Sequence, residues 1–313
     1  MPGWSEILKE LATTAKEGPH RDFDTVRRKY LVKLHRHTGR NVILYASGWL
    51  QRDNAPPSMI SINDEDMQAF MEVCYKLEGE SLDLILHSPG GSPEAAEAIV
   101  SYLRSRFSDI RVIVPQLAMS AATMIACAAD QIVLGEHSSL GPTDPQILIP
   151  TSLGIRAVPA QAVLDQFDQA QQECADPAKL AAWLPMLEQY GPALLVQCES
   201  ALAMTRELVK TWLESYMFKN SDTGPDKAED ISGWLAGHEN FKSHNRHIPR
   251  TEAEDRKLAI SRLETDQQFQ NLVLSVFHST SHTFTGTDAV KIVENHDGRA
   301  FIKISPRPTQ VTN

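Results

Sequence analysis

Apolar and polar positions along the chain change their spacing twice, at about residue 39 and again beyond residue 155. Residues 1–38 read as two polar helices broken at Gly18-Pro19, a dipeptide that interrupts helical hydrogen bonding. The second helix, Asp22 to His37, carries Arg27, Arg28, Lys29, Lys33, Arg36 and His37, a basic stripe expected to be a solvated face. After Gly39 the run NVILYAS predicts a strand. A helix is expected to enter at Ile62-Asn63-Asp64, with Asn63 or Asp64 as its cap, and to run to about Leu77. Its buried face would carry Met67, Phe70, Met71 and Cys74.

The runs LDLILH (82–87), IRVIVP (110–115) and QIVLG (131–135) are short and apolar, as buried strands are. Between them lie PEAAEAIVSYLRSRF, with Pro93 in its first turn, and the small-residue segment SAATMIACAA (120–129). Strands alternating with helices at this spacing predict an α/β fold with a parallel sheet joined by crossovers. Beyond residue 155 the chain is expected to be mostly helical, with helices near 159–173, 177–189, 192–217, 226–236, 251–258 and 264–278. The polar tail from Ile304 onward is expected to be loose.

Composition narrows the function classes. With 313 residues the chain can bury a core as one large domain or two small ones. A formal net charge of −10 argues against a general nucleic-acid binder, which needs clustered cations. Cys74, Cys127, Cys174 and Cys198 are scattered without a C-x-x-C pair, so neither a disulfide framework nor a zinc signature is expected. The N-terminal MPGWSEILKELATTAKEG lacks the charged-then-apolar pattern of a signal peptide. No run reaches the ~20 apolar residues of a membrane span, and a soluble cytoplasmic protein is expected.

Two loops carry candidate chemistry. Ser88-Pro89-Gly90-Gly91 follows the strand 82–87, at the strand end where open α/β sheets bind ligands. Adjacent glycines allow backbone N–H groups to approach a substrate closely. By itself this segment is also an ordinary strand-to-helix turn. Ser120 opens a helix directly after a strand. It could be a helix cap, or a nucleophile with the Ala121 N–H as an oxyanion donor. One βα unit apart, the two loops are expected side by side at one sheet edge. His278 and His282 have the i,i+4 spacing of a metal pair, but no third ligand has convincing spacing.

LDLILHSPGGSPEAAEAI followed by VIVPQLAMSAATMIACAADQIVLGEHSSLGPTDPQI resembles the serine dehydrogenase proteinase family, of the ClpP/crotonase superfamily and akin to signal peptide peptidase A. Matching is firm over about 41–150 and weaker to FKSHNRHI (241–248). The resemblance implies a ClpP/crotonase-like fold of repeated ββα units with additional C-terminal helices. It implies a homo-oligomer and serine peptidase activity on polypeptides, without metal or organic cofactor. It maps the nucleophile onto Ser120 and the oxyanion hole onto the backbone of Gly90, Gly91 and Ala121. The domain organisation expected with it is a helical extension (1–38), a catalytic domain (39–260), and a C-terminal helix with a loose tail (261–313).

A serine hydroxyl also needs a base. No lysine lies between Ser120 and Lys179, and the helix 192–217 has Glu199 and Ser200 where a family lysine is expected. The first candidate is His244, at the family's late histidine position, paired with Asp144 of GPTDPQ. Lys179 is the alternative base, with Lys210 as the other lysine to consider. His137 and His247 are further histidines, and Asp144 could also simply shape the turn before Pro145. Two other functions stay open: an inactive scaffold or regulatory subunit of this fold, and a crotonase-like acyl-CoA enzyme that would not need Ser120.

Overall fold

A computed structural model describes residues 3–14, 22–151 and 154–306. The expected break at Gly18-Pro19 and the last residues of the tail lie outside them. The chain divides into two compact units, Met1–Leu140 with Ile248–Asn313, and Gly141–His247.

The first unit opens with helices α1 (Trp4–Thr14) and α2 (Phe23–Thr38). Asp22 caps α2 by accepting from Thr25 N at 3.0 Å, and Gly39 ends it at φ 67°. Strand β1 (Asn41–Ser47), the short α3 (Pro57–Ile60) and α4 (Asp66–Cys74) follow. Then come β2 (Ser81–His87), α5 (Pro93–Arg106), β3 (Asp109–Val114), the two-residue β4 (Leu117–Ala118), α6 (Ala121–Cys127), β5 (Gln131–Leu134) and β6 (Ser139–Leu140). Ser92 caps α5 through Ala95 N at 3.0 Å, with Pro93 in its first turn.

The second unit begins with the antiparallel pair β7 (Gln146–Thr151) and β8 (Gly154–Pro159). Helices α7 (Ala160–Glu173), α8 (Pro177–Leu187), α9 (Leu194–Trp212), α10 (Gly224–Ala236) and α11 (His238–Phe241) complete it. Its apolar centre is Ala160, Val163 and Cys198, packed by Ile147, Val158 and Leu202.

The chain then returns to the first unit with β9 (Ile248–Pro249), α12 (Arg250–Asp255), β10 (Ile260–Arg262), α13 (Gln267–Gly286), β11 (Ala289–Asn295) and β12 (Ala300–Ile304). The main sheet has the order β10-β5-β3-β2-β1-β11-β12. Pairing is parallel from β10 through β1 and antiparallel at β11 and β12. A smaller sheet, β4-β6-β9, stands beside it. The fold is therefore mixed α/β with a mostly parallel central sheet, as the strand–helix alternation predicts. Leu31 and Leu34 of α2, Leu44 and Ile85 of the sheet, and Val273 and Val276 of α13 meet in the main core.

Three expectations are corrected. Helix α4 buries Asp66, Ala69, Phe70, Val73 and Cys74 but leaves Met71 55% exposed, because Met71 lies roughly 100° round the helix from Phe70, outside the face those residues share. Arg27, placed in a solvated stripe, is fully buried and ion-paired with Glu294 of β11. The C-terminal region, in the part of the chain expected to be mostly helical, also holds the strands β10, β11 and β12.

His87, at the end of β2, is buried, and its Nδ1 accepts from Leu117 N at 3.4 Å. Burial pushes its imidazole down to about 4. The folded value lies below the unfolded one, so this contribution to stability is present above pH ~6.5 and is lost as pH falls toward 4. The shift corresponds to roughly 3 kcal/mol. Urea unfolding is expected to show that loss over this range, and a shallower pH dependence in His87→Phe, whose ring suits neighbours Trp49 and Phe277. An identical pH dependence in the variant would contradict this assignment.

Candidate active site

Ser120 sits between β4 and α6 with φ 53° and ψ −122°. That left-handed backbone is uncommon for a side chain with a Cβ and costs on the order of 1–3 kcal/mol. The surrounding bonds enforce it. Ala122 N donates to Met119 O at 2.9 Å, Met124 N to Ser120 O at 3.1 Å, and the Thr123 hydroxyl to Ala118 O at 2.7 Å. The Ser120 side chain makes no cap hydrogen bond, which removes the reason a capping serine would have for this position. A serine on a strained strand-to-helix turn is the geometry that exposes a nucleophilic hydroxyl.

The glycine loop lies against it. Ser88 pairs with the β4 segment, its N donating to Leu117 O at 3.1 Å and its O accepting from Met119 N at 3.0 Å. Gly90 has φ 94°, and a Cβ there would stand 2.7 Å from Ser120 Cβ and 2.5 Å from Met119 O. The expected side-by-side placement of the two loops is thus observed.

Of the three expected donors, Gly90 N–H is taken up by Ser88 Oγ at 3.2 Å. Among the described residues, no hydrogen bond engages the N–H of Gly91 or of Ala121. Gly91 is held by a parallel bridge to Ile62: Ile62 N donates to Gly90 O at 2.8 Å and Ser92 N to Ile62 O at 3.0 Å. In such a bridge the Gly91 N–H points away from Ile62.

In the second unit, Asp144 is buried and holds two imidazoles. His244 Nδ1 lies 2.7 Å from Asp144 Oδ1, and His238 Nδ1 lies 3.2 Å from Oδ2. Gln146 Nε2 donates to Asp144 Oδ2 at 3.0 Å. A carboxylate at Nδ1 fixes the tautomer that leaves Nε2 with its lone pair, the arrangement of a general base. His244 with Asp144 was the expected pair. His238 was not expected, and the Gly237 turn between α10 and α11 is what brings it to the same carboxylate.

Lys179 is exposed, 4.0 Å from Glu173 Oε2. Lys210 pairs with Glu229 at 3.0 Å, and that contact raises its pKa, the opposite of what a lysine base needs. His137 and His247 are exposed. Among the described residues, no group of three or more His, Cys, Asp or Glu side chains is placed to hold a metal ion. His282 instead packs its ring at a tilt against Trp4, with ring centroids 3.8 Å apart.

Sequence reasoning also missed a buried cluster in the first unit. Lys291 Nζ lies 2.8 Å from both Asp66 carboxylate oxygens, and Tyr45 OH donates to Asp66 Oδ2 at 2.8 Å. The one signal for it is a lysine in the middle of the apolar run AVKIVEN.

The site thus joins a strained strand-end serine, a glycine turn packed against it, and two backbone N–H groups that no hydrogen bond engages among the described residues. Residues 57–182 match the model of the ClpP-like SDH-type serine proteinase family, which bears out the resemblance over that segment, less than half of the chain. Two uncharacterized proteins of Methanocaldococcus jannaschii are similar over part of their length. One is 44% identical over 101 residues, covering 32% of this chain and 35% of that protein. The other is 34% identical over 99 residues, covering 32% of this chain and 31% of the relative. The chain therefore spans about one third of the length of the curated relatives it matches. No helix among the described residues is long and apolar enough to cross a membrane.

Proposed function

We propose that this protein is a serine peptidase of the Clp class. Ser120 is the nucleophile, the N–H groups of Gly91 and Ala121 stabilise the oxyanion, and the His244–Asp144 pair supplies the base. Gly90 contributes the space and the turn that let its loop meet Ser120. Polypeptide is the substrate, and the repeated ββα units, a homo-oligomeric assembly and a cytoplasmic location belong to the same reading.

The observation that carries it is the backbone of Ser120, strained at φ 53° with an uncapped side chain and backed by the Gly90 turn. A capping or structural serine has no need of that strain, whereas a nucleophile presented to donors does. The family match supports the reaction class.

A fluorophosphonate probe tests the reading, because an activated serine attacks its phosphorus, displaces fluoride and is phosphonylated. Wild type is expected to label, and Ser120→Ala to lose labelling altogether. Labelling that persists in Ser120→Ala would place the nucleophile elsewhere.

A further inference from the structure

Ile62 is the residue against which the oxyanion loop is registered, and both of its neighbours are clamped. On one side Ser61 O accepts from Lys291 Nζ at 2.7 Å. On the other, Asn63 N donates to Asp66 Oδ2 at 3.0 Å. One residue further back, the Ser47 hydroxyl at the end of β1 donates to Ile60 O at 2.6 Å. Asp66 and Lys291 are fully buried, and they bind each other through both carboxylate oxygens. Tyr45 of β1 donates to the same carboxylate at 2.8 Å.

A continuous route thus runs from one buried ion pair to the glycine loop, through Ser61 and Asn63 to Ile62, and so to Gly90 and Ser92. There is no slack at the meeting point, since a Cβ on Gly91 would stand 2.3 Å from Ile62 O and 2.5 Å from Ile62 N.

We propose that Lys291, Asp66 and Tyr45 are positioning residues, a buried relay that holds Ile62 in place and thereby aims the Gly91 N–H beside Ser120. The proposal rests on the reading of Ser120 as nucleophile. Removing a buried ion pair's partner leaves an uncompensated charge, and that disturbance would reach the loop through Ile62. A shift of about 1 Å in a group that orients a reaction is enough to cost on the order of 100-fold in rate.

The relay has a pH signature. Burial lowers Lys291 to about 8, against the opposing pull of Asp66. The groups facing Lys291 are Asp66 and Tyr45, with Glu65 and Lys303 close enough to act on it; those two are ion-paired with each other at 2.7 Å. As pH rises through about 8, Lys291 loses its proton and Asp66 keeps a buried charge without a counter-ion, so acylation falls on the alkaline side.

The test compares wild type, Tyr45→Phe, Lys291→Met and the doubly substituted Asp66→Leu with Lys291→Met, which replaces the pair by apolar groups and so guards against misfolding. Fluorophosphonate labelling rates are measured from pH 6 to 10, alongside hydrogen exchange of the Ile62 and Ser92 amides. Tyr45→Phe is expected to label about tenfold more slowly, the loss of one buried hydrogen bond. Lys291→Met is expected to label about 100-fold more slowly, without the alkaline fall near pH 8 that wild type shows, and with faster exchange at both amides. Glu294→Gln, which weakens a buried pair not tied to Ile62, should lower stability and leave the pH profile unchanged. Wild-type rates, profile and exchange in Tyr45→Phe and in the folded Lys291 variants would overturn the proposal. Absence of labelling in wild type would overturn the nucleophile reading instead, and the exchange data would still decide whether the relay holds the loop.

Discussion

Gly90→Ala is expected to lower fluorophosphonate labelling of Ser120 by at least about 100-fold and to destabilise the first unit. The added methyl group would stand 2.5 Å from Met119 O, 2.7 Å from Ser120 Cβ and 3.0 Å from Ala121 N. All three neighbours belong to the turn that presents the nucleophile, and two of them are backbone atoms with no rotamer to change. Gly90 also holds φ 94°, which an alanine adopts only under strain. Strain and overpacking together come to about 2–6 kcal/mol. Relief can come only by moving the glycine loop away from Ser120, which separates nucleophile from donors. Labelling rate and urea midpoint are read on the same preparation, and wild-type values for both would show that the loops are not packed as described.

Asp144→Asn is expected to leave the second unit folded and to cut peptide hydrolysis by about 10⁴-fold, the size of effect seen when a triad carboxylate is replaced by its amide. The amide keeps the shape and the hydrogen-bonding positions toward Gln146 and His238. It no longer forces the proton onto His244 Nδ1, so Nε2 ceases to be the basic nitrogen. The two histidines on this carboxylate can be told apart by their own substitutions. His244→Ala is expected to lose about as much as Asp144→Asn, because its bond is the shorter one, 2.7 Å against 3.2 Å. His238→Ala should cost about tenfold or less, as a lost neighbour that helps hold Asp144 in place. The reverse order in a fluorogenic peptide assay would transfer the base to His238. Full activity in all three variants would remove this pair from the mechanism.

Much of this site is legible in the sequence because its signals are local. Strands β1, β2, β3 and β5 are short, predominantly apolar runs, and the two loops follow β2 and β4 within a few residues. What escapes is what depends on distant partners. Strand β11 contains Lys291 and Glu294, which read as surface residues until Asp66 and Arg27 bury against them from more than 200 positions away. Asp66 looks like an ordinary first-turn carboxylate of α4, yet it is fully buried and anchors the segment that registers Gly91. His238 lies 94 positions from Asp144, and no spacing rule links them. The left-handed backbone of Ser120 is likewise silent in sequence, since serine carries no preference for it. It is imposed by bonds from Met119, Thr123 and Met124.

The central claim is that Ser120 is an activated nucleophile, and a covalent adduct tests it most directly. After reaction with a fluorophosphonate and proteolysis, mass spectrometry of the wild-type protein should find the phosphonyl group on Ser120, and none on Ser88 or Ser92. An unmodified Ser120 in folded protein, or an adduct carried by another serine, would contradict the account.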